Sequence, residues 1–295
     1  MSYEVSQIQG YVEQKKSELL GKAVMGAKTI GKIGIQTGVK GNTALNQLTT
    51  NFSFKNGNTC GFSPEGNASF TQRILEPTIL AVQLQFCPKD LINTYKNEEV
   101  RISAQGGDMP AEEAVIDNIL KNVKAKLETA IWKGDDVTGM RGFKTIDTSG
   151  KVEVSYADKT TVYEKAVAVY SAIPVEILDA DVEVSIFMGA DQYRTFIQEM
   201  VAKNLYHYSA NEGIAGEIYL PGTNVKIVST NGLNGTNEMW ATFNENLVYG
   251  TDFEGDEEIF DLWYSNDDRV WKLDIEFNAA TQIRFPDLLV VGTNA

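Results

Sequence analysis

The sequence has very little cysteine and histidine: Cys60, Cys87 and His207 are the only ones in 295 residues. A structural zinc site needs four such ligands, and two thiols in a reducing compartment are seldom bridged. A Ser-His-acid triad would have to use His207, which lies in an aromatic run and is better interpreted as a structural histidine. We therefore predict no metal, no cofactor and no disulfide.

Long hydrophobic runs are also missing. No window approaches the ~18 unbroken apolar residues of a membrane span, and residues 1–16 lack the basic start and apolar core of a signal peptide. We expect a protein made and used in a cytoplasm, with no membrane partner. With 43% apolar residues, a chain of this length can bury a substantial core without staples.

Positive charge is scarce, and the net charge is −14. Surfaces that neutralise phosphates are built from clustered Lys and Arg, so duplex DNA is not expected to be a direct partner. The charge is uneven: residues 1–55 carry seven Lys against three Glu, whereas residues 241–295 carry twelve acids against three bases. The two regions could attract each other between copies or could be solvated faces, and the sequence leaves both open.

Motifs for catalysis or ligand binding are incomplete. The phosphate-loop spacing that starts at Gly26 has Ile33 where a hydroxyl must reach magnesium, and the elbow-like start at Gly61 has Glu65 in place of the second glycine. In the acidic run 252–258, Glu257 stands where an EF-hand loop needs glycine, so cation binding there is only an alternative. We predict that the chain is not an enzyme. The alternative is a carbohydrate-active hydrolase with Trp240, Trp263 and Trp271 in a sugar site, although spacing favours core packing for all three.

Periodicity predicts an α+β fold. Residues 42–86 show two extended arms around a turn-rich tip with Asn56-Gly57, and Pro77 confines part of the returning arm to an edge or a bend. Residues 110–133 have the spacing of a helix roughly 36 Å long, which Gly134 ends. Before the hairpin, we expect a marginal arm helix that needs a partner surface and a flexible joint over residues 31–41. After it, helices and short strands mix without regular alternation, and two alternating stretches lie at residues 270–277 and 281–285.

Several phrases, in this order and spacing, resemble the major capsid proteins of tailed bacteriophages with the Hong Kong 97-like fold. They are FTQRILEPTILAVQLQF at residues 70–86 with CPKDL after it, ETAIWKGD at 128–135, IFMGADQYRTF at 186–196 and LPGTNVKIV at 220–228. The resemblance covers nearly the whole chain, although each phrase alone is weakly specific.

The resemblance implies the following domain organisation: an N-terminal arm (1–41), an extended E-loop hairpin (42–86), a P-domain (87–141) with the spine helix 110–133, an A-domain (142–262), and return strands to the P-domain with the C-terminus (263–295). It also implies self-assembly into hexamers and pentamers that form an icosahedral head shell around phage double-stranded DNA, without sequence-specific binding. The virion is then the final location, after assembly in the host cytoplasm. Scaffolding, portal and decoration proteins are the expected partners, the scaffold being a separate protein because the chain begins almost directly at the arm.

Contacts between subunits are expected at residues 1–41, at the hairpin and at the A-domain loop with the aromatic run. An encapsulin-type nanocompartment shell protein is the closest alternative, since it shares the fold. Some capsid relatives cross-link an E-loop lysine to a distant asparagine, and Lys55 lies near the inferred tip, but we expect non-covalent contacts. The predicted contact residues are Phe52, Phe54, Lys55, Asn56, Gly57, Phe62, Tyr206, His207 and Tyr208.

Overall fold

Apolar residues at helical spacing form the long helix α1 (Ala111–Lys133), close to the predicted 110–133. Its buried side carries one row of aliphatic residues three and four positions apart, which packs into the largest core cluster. Gly134 ends it in a left-handed conformation (φ +79°), and its N–H donates to the carbonyl of Ala130 at 2.8 Å. The row comprises Ile116, Leu120, Val123, Leu127 and Ile131.

The computed structural model describes residues 18–19, 21–54, 66–87, 111–180, 182–205, 218–252 and 259–294. For residues 111–115 it describes the backbone only. No described helix is long and apolar enough to cross a membrane.

A five-stranded sheet, here the first sheet, covers the buried side of α1. Its strands are β1 (Gly34–Gln36), β4 (Thr78–Phe86), β10 (Leu247–Thr251), β11 (Ile259–Ser265) and β12 (Val270–Ile283). The order is β1-β10-β12-β11, and β4 pairs with the other edge of β12. Every second residue of β12 from Trp271 to Phe277 is buried in the cluster that also holds the α1 row. The first sheet and α1 thus form a two-layer unit.

Strand β12 is one continuous strand, although the sequence pattern predicts two stretches separated at residues 278–280. Residues 277–283 are all buried, so the alternation of apolar and polar residues disappears there. Pairing with β10 on one edge and with β4 on the other continues through Ala279, which supplies the backbone partners.

A six-stranded second sheet forms the other half of the fold. Its order is β5-β13-β9-β6-β8-β7, and its core strand β6 is buried at every residue. Both mixed sheets carry helices, so the predicted α+β class is confirmed. The strands are β5 (Val152–Ser155), β6 (Val184–Gly189), β7 (Ile218–Tyr219), β8 (Lys226–Thr230), β9 (Met239–Phe243) and β13 (Val290–Thr293), and the helices are α2 (Val162–Ser171), α3 (Val175–Asp179) and α4 (Ala190–Ala202).

A capping box starts α2. The hydroxyl of Thr161 accepts from the N–H of Glu164, and the Glu164 carboxylate accepts from the N–H groups of Thr161 and Thr160. These backbone hydrogen bonds lower the pKa of Glu164. The cap fixes where the chain turns from β5 into the helix.

The N-terminal segment finds the partner surface it needs within its own subunit. Leu19, Ala23 and Val24 are buried in the same cluster as α1. The predicted flexible joint instead adds a strand to the first sheet, because β1 runs parallel to β10, and Val39 after it is fully buried. Residues 1–17 lie outside the described part of the chain.

Trp132, near the end of α1, joins the two sheets. Its ring contacts Phe143, Phe187 and Trp240 at centroid distances of 5.4, 5.5 and 5.8 Å. Its indole N–H donates to the hydroxyl of Thr29 at 2.9 Å, and Thr29 donates through both its N–H and its hydroxyl to the buried carboxylate of Glu128.

Of the three tryptophans for which core packing is favoured by spacing, two are in the core. Trp240 and Trp271 are buried. Trp263 is not, because the outward face of β11 carries it, and 40% of its surface is exposed. The three side chains do not line a common site.

We expect Thr29→Val to destabilise the subunit. The isosteric change leaves the indole N–H of Trp132 and one oxygen of Glu128 buried without the hydroxyl, at a cost of about 1–3 kcal/mol for each group. Urea unfolding of the unassembled chain measures the free energy of unfolding. Thr129→Val is the control, since that hydroxyl bonds only to Ala125 on the exposed side of α1, and its effect should stay within about 0.5 kcal/mol. Equal effects of the two variants would contradict the network.

Candidate assembly interface

A two-stranded hairpin projects from the first sheet. Strands β2 (Thr43–Asn51) and β3 (Asn67–Leu75) pair antiparallel in nine register pairs, from Thr43 opposite Leu75 to Asn51 opposite Asn67. Nine residues of strand extend about 30 Å. An isolated hairpin of this kind is only marginally stable in water, so its base and its exposed faces need other contacts.

The base of the hairpin is anchored in a small core of its own. Leu45 and Leu75 are buried together with Val39, which follows β1, Val248 of β10 and Ala280 of β12. A Cβ at Gly250 would collide with the Leu75 side chain, so this glycine makes room for it. The hairpin is therefore held by packing at one end.

Polar contacts fix the direction of the same end. The side-chain amide of Gln282 in β12 donates to the carbonyl of Ile74 at 2.6 Å. Arg73 donates to the carbonyl of Asp147 at 2.7 Å and to the amide oxygen of Gln282 at 3.3 Å. These bonds tie β3 to both β12 and the segment after α1.

Beyond its base, the hairpin exposes an apolar face. The register puts Leu48 opposite Phe70 on the same face as Ile74, and these side chains are 54%, 76% and 51% exposed. After β2 the chain continues with Phe52 and Phe54, whose rings meet edge to face at 6.2 Å and remain exposed. Large apolar side chains gathered on one exposed face are typical of a surface that another molecule covers.

The returning arm of the predicted hairpin divides at Glu76 and Pro77. Residues before this point pair with β2, whereas β4 pairs with β12 in nine register pairs. Proline has no N–H to donate, so the ladder cannot continue through it. The hairpin itself is thus residues 43–75, and residues 78–86 belong to the first sheet.

Of the predicted contact residues, Phe52 and Phe54 lie exposed just beyond β2. Leu48, Phe70 and Ile74 join the same surface but were not predicted. Their signal was available in the sequence, because apolar residues at even positions on both arms share a face when the strands pair. The other predicted residues, Lys55, Asn56, Gly57, Phe62, Tyr206, His207 and Tyr208, lie outside the described residues.

A groove of about 470 Å³ lies between α1 and β4. It is mainly apolar, with Leu80, Val82 and Ile119 among its lining residues. Its one carboxylate, Asp135, is bonded to the N–H of Val137 and the hydroxyl of Thr138. Within the described ranges, no three His, Cys, Asp or Glu side chains are grouped to hold a metal ion.

No family model matches the sequence, and no curated protein matches it. Solved structures do match. The satellite phage P4 procapsid with its size determination protein has a TM-score of 0.60 at 10% identity, covering 100% of this chain and 98% of that chain. The capsid of an empty GTA particle gives 0.55 at 12% identity, with 93% and 90% covered. A virus-like particle from Pyrococcus furiosus gives 0.53 at 12% identity, with 95% and 98% covered.

The match extends over nearly the full length of each chain. At these identities it shows the fold, and the chain has the fold of phage capsid proteins. The capsid resemblance of the sequence is confirmed at that level.

Two substitutions in β3 distinguish the residue that anchors the hairpin from the residue on its exposed face. Leu75→Ala leaves a cavity in a fully buried site and should lower the free energy of unfolding by about 2–5 kcal/mol. Phe70→Ala removes an exposed ring and should change it by less than about 0.5 kcal/mol. Urea unfolding of unassembled chains measures both. A large loss from Phe70→Ala would show that its ring packs within its own subunit.

Proposed function

We propose that this chain is a major capsid protein, a non-enzymatic subunit that assembles into hexamers and pentamers and forms the icosahedral head shell around phage double-stranded DNA. The observation that carries the proposal is the hairpin, anchored at its base and exposing large apolar side chains along its length. A surface of this kind is stabilised only when another molecule covers it. In a shell of identical subunits, the neighbouring copy is the molecule always present.

The parts of the fold take the roles that the capsid resemblance implies. The hairpin of β2 and β3 is the E-loop, α1 with the first sheet is the P-domain, and the second sheet with its helices is the A-domain. Compared with the expected ranges, this moves β10 and the start of β11 from the A-domain (142–262) to the P-domain, and β13 from the return strands (263–295) to the A-domain. The aromatic run Tyr206, His207 and Tyr208 follows α4 in the sequence. We propose it as a further contact between subunits within a capsomer.

A second candidate is a nanocompartment shell of the encapsulin type. The full-length match to a virus-like particle from Pyrococcus furiosus supports this candidate, because the fold alone does not distinguish a nanocompartment shell from a phage head shell. Both candidates share self-assembly and a strap role of the hairpin, in which it lies across the neighbouring subunit. They differ in what the shell encloses. Packaged DNA with a neighbouring terminase or portal gene would decide for the phage shell, and an enclosed enzyme would decide for the compartment.

Negative-stain microscopy of the purified full-length chain tests the proposed function. We expect closed shells, capsomers or tubes, alone or after a scaffold is added. A chain that stays strictly monomeric at high concentration under both conditions would contradict the capsid role.

Phe70→Ser should prevent stable shells while the subunit remains folded. The change removes the most exposed ring of the β2–β3 face, so the apolar contact with the neighbour is lost. Val137→Ser is the control, because Val137 is 94% exposed in the turn after α1 and does not belong to the paired strands β2 and β3. Microscopy counts shells, and circular dichroism of the unassembled chains checks the fold. Normal shells from Phe70→Ser, or equal loss in both variants, would contradict the strap role.

A further inference from the structure

The exposed side of α1 is basic. Over residues 116–133, the exposed side chains include three lysines and no acid. Glu128 is buried against Thr29, and Asp117 is half-buried at the side of the helix. Lys28 is also exposed and lies next to Thr29 in the segment that crosses Glu128. The exposed residues of α1 are Asn118, Lys121, Asn122, Ala125, Lys126, Thr129 and Lys133.

The other face of the same two-layer unit is acidic. Between the buried residues of β12, Lys272, Asp274 and Glu276 point away from α1. The register places Asp261 of β11 directly opposite Asp274, and Lys272 is bound to the carboxylate of Asp268. Like charges directly opposite each other destabilise a sheet, so this face has a cost in the isolated subunit.

Although the net charge is −14, opposite charges lie on opposite faces of the two-layer unit. The helix layer presents lysines to one side and the sheet layer presents carboxylates to the other, with one apolar core between them. A wall built from such units in one orientation has a positive and a negative surface. Its positive surface attracts polyanions and its negative surface repels them.

We propose that the exposed side of α1, with Lys121 and Lys126, faces the enclosed nucleic acid and contacts its phosphates without reading sequence. This inference rests on the proposed shell function and adds the orientation of the subunit in the wall. Lysine ammonium groups act as point charges on phosphate, and amide side chains such as Asn118 and Asn122 also bond to phosphate oxygens. The net charge alone predicts that DNA is not a direct partner, whereas this inference makes DNA a direct partner of one surface.

The composition of this surface favours nucleic acid over an acidic protein. Protein interfaces are depleted in lysine and enriched in aromatic residues, methionine and arginine. The exposed side chains of α1 within the described range are lysines, amides, one threonine and Ala125. Asn122, Lys126 and Thr129 also line the groove beside β4, so the apolar surface begins at the edge of this side. Binding energy would thus come from phosphate neutralisation and depend strongly on salt.

The test measures how DNA affinity depends on salt. A labelled random-sequence duplex is titrated with the full-length chain, kept unassembled as checked by sedimentation, between about 50 and 200 mM salt. In the Lys121→Gln/Lys126→Gln variant, the slope of log K against log salt should fall by about two relative to the unsubstituted chain. The control is Lys159→Gln/Lys203→Gln, two exposed lysines beside the second sheet, whose slope should not change.

Three results would overturn the inference. One is a slope in the Lys121→Gln/Lys126→Gln variant equal to that of the unsubstituted chain. Another is an equal loss in both variants, which would mean that lysines anywhere on the chain suffice. The third is unchanged DNA binding together with lost shell formation, which would assign the surface to an acidic protein or a second copy. If the unsubstituted chain forms no shells, the proposed function fails, whereas the slopes still decide whether α1 binds phosphate.

Discussion

The packing of Trp132 is the contact on which both halves of the fold depend. The residue belongs to α1, yet its ring contacts Phe187 and Trp240 of the second sheet. A ring of this size can fill the junction only if its N–H is satisfied, and the buried chain from Trp132 through Thr29 to Glu128 does so. The N-terminal segment is therefore part of the junction. Gly232 completes it, since a Cβ there would collide with the Trp132 ring.

This junction makes the two-layer unit a fixed base for the hairpin. Leu75 is held by strands of the first sheet, and Arg73 reaches the segment between α1 and β5 through the carbonyl of Asp147. The direction of the hairpin is thus set by the core. A rigid base lowers the entropy that is lost when the exposed face of the hairpin is covered. The apolar surface that is unfavourable in the free subunit is then used for association.

Much of this arrangement could be predicted from the sequence, and the failures have physical causes. Helix α1 was predicted almost to the residue because its apolar row and Gly134 are local signals. The end of the hairpin at Pro77 was not predicted. Residues 78–86 pair with β12, which lies nearly two hundred positions further along the chain, and local sequence signals do not show such a pairing. The joint at residues 31–41 was judged by its four glycines, but glycine content does not show that Gly34–Gln36 pairs with β10, a strand more than two hundred positions away. The prediction of core packing for Trp263 was wrong, because spacing along a strand does not tell which of its two faces is covered.

The distribution of charge on the surface also could not be predicted from the sequence counts. The counts for the two ends of the chain identify a basic and an acidic region, but they place the acids in the sequence and not on a surface. Strand alternation puts Asp274 and Glu276 on the face away from α1, and helical spacing puts Lys121 and Lys126 on the other exposed side. The segregation of charge follows from the two-residue period of β12 and the 3.6-residue period of α1, because each element turns its apolar residues to the same core and its charged residues outward. A wall of such units would keep a net negative charge, which favours solubility, and still present a positive surface to a polyanion.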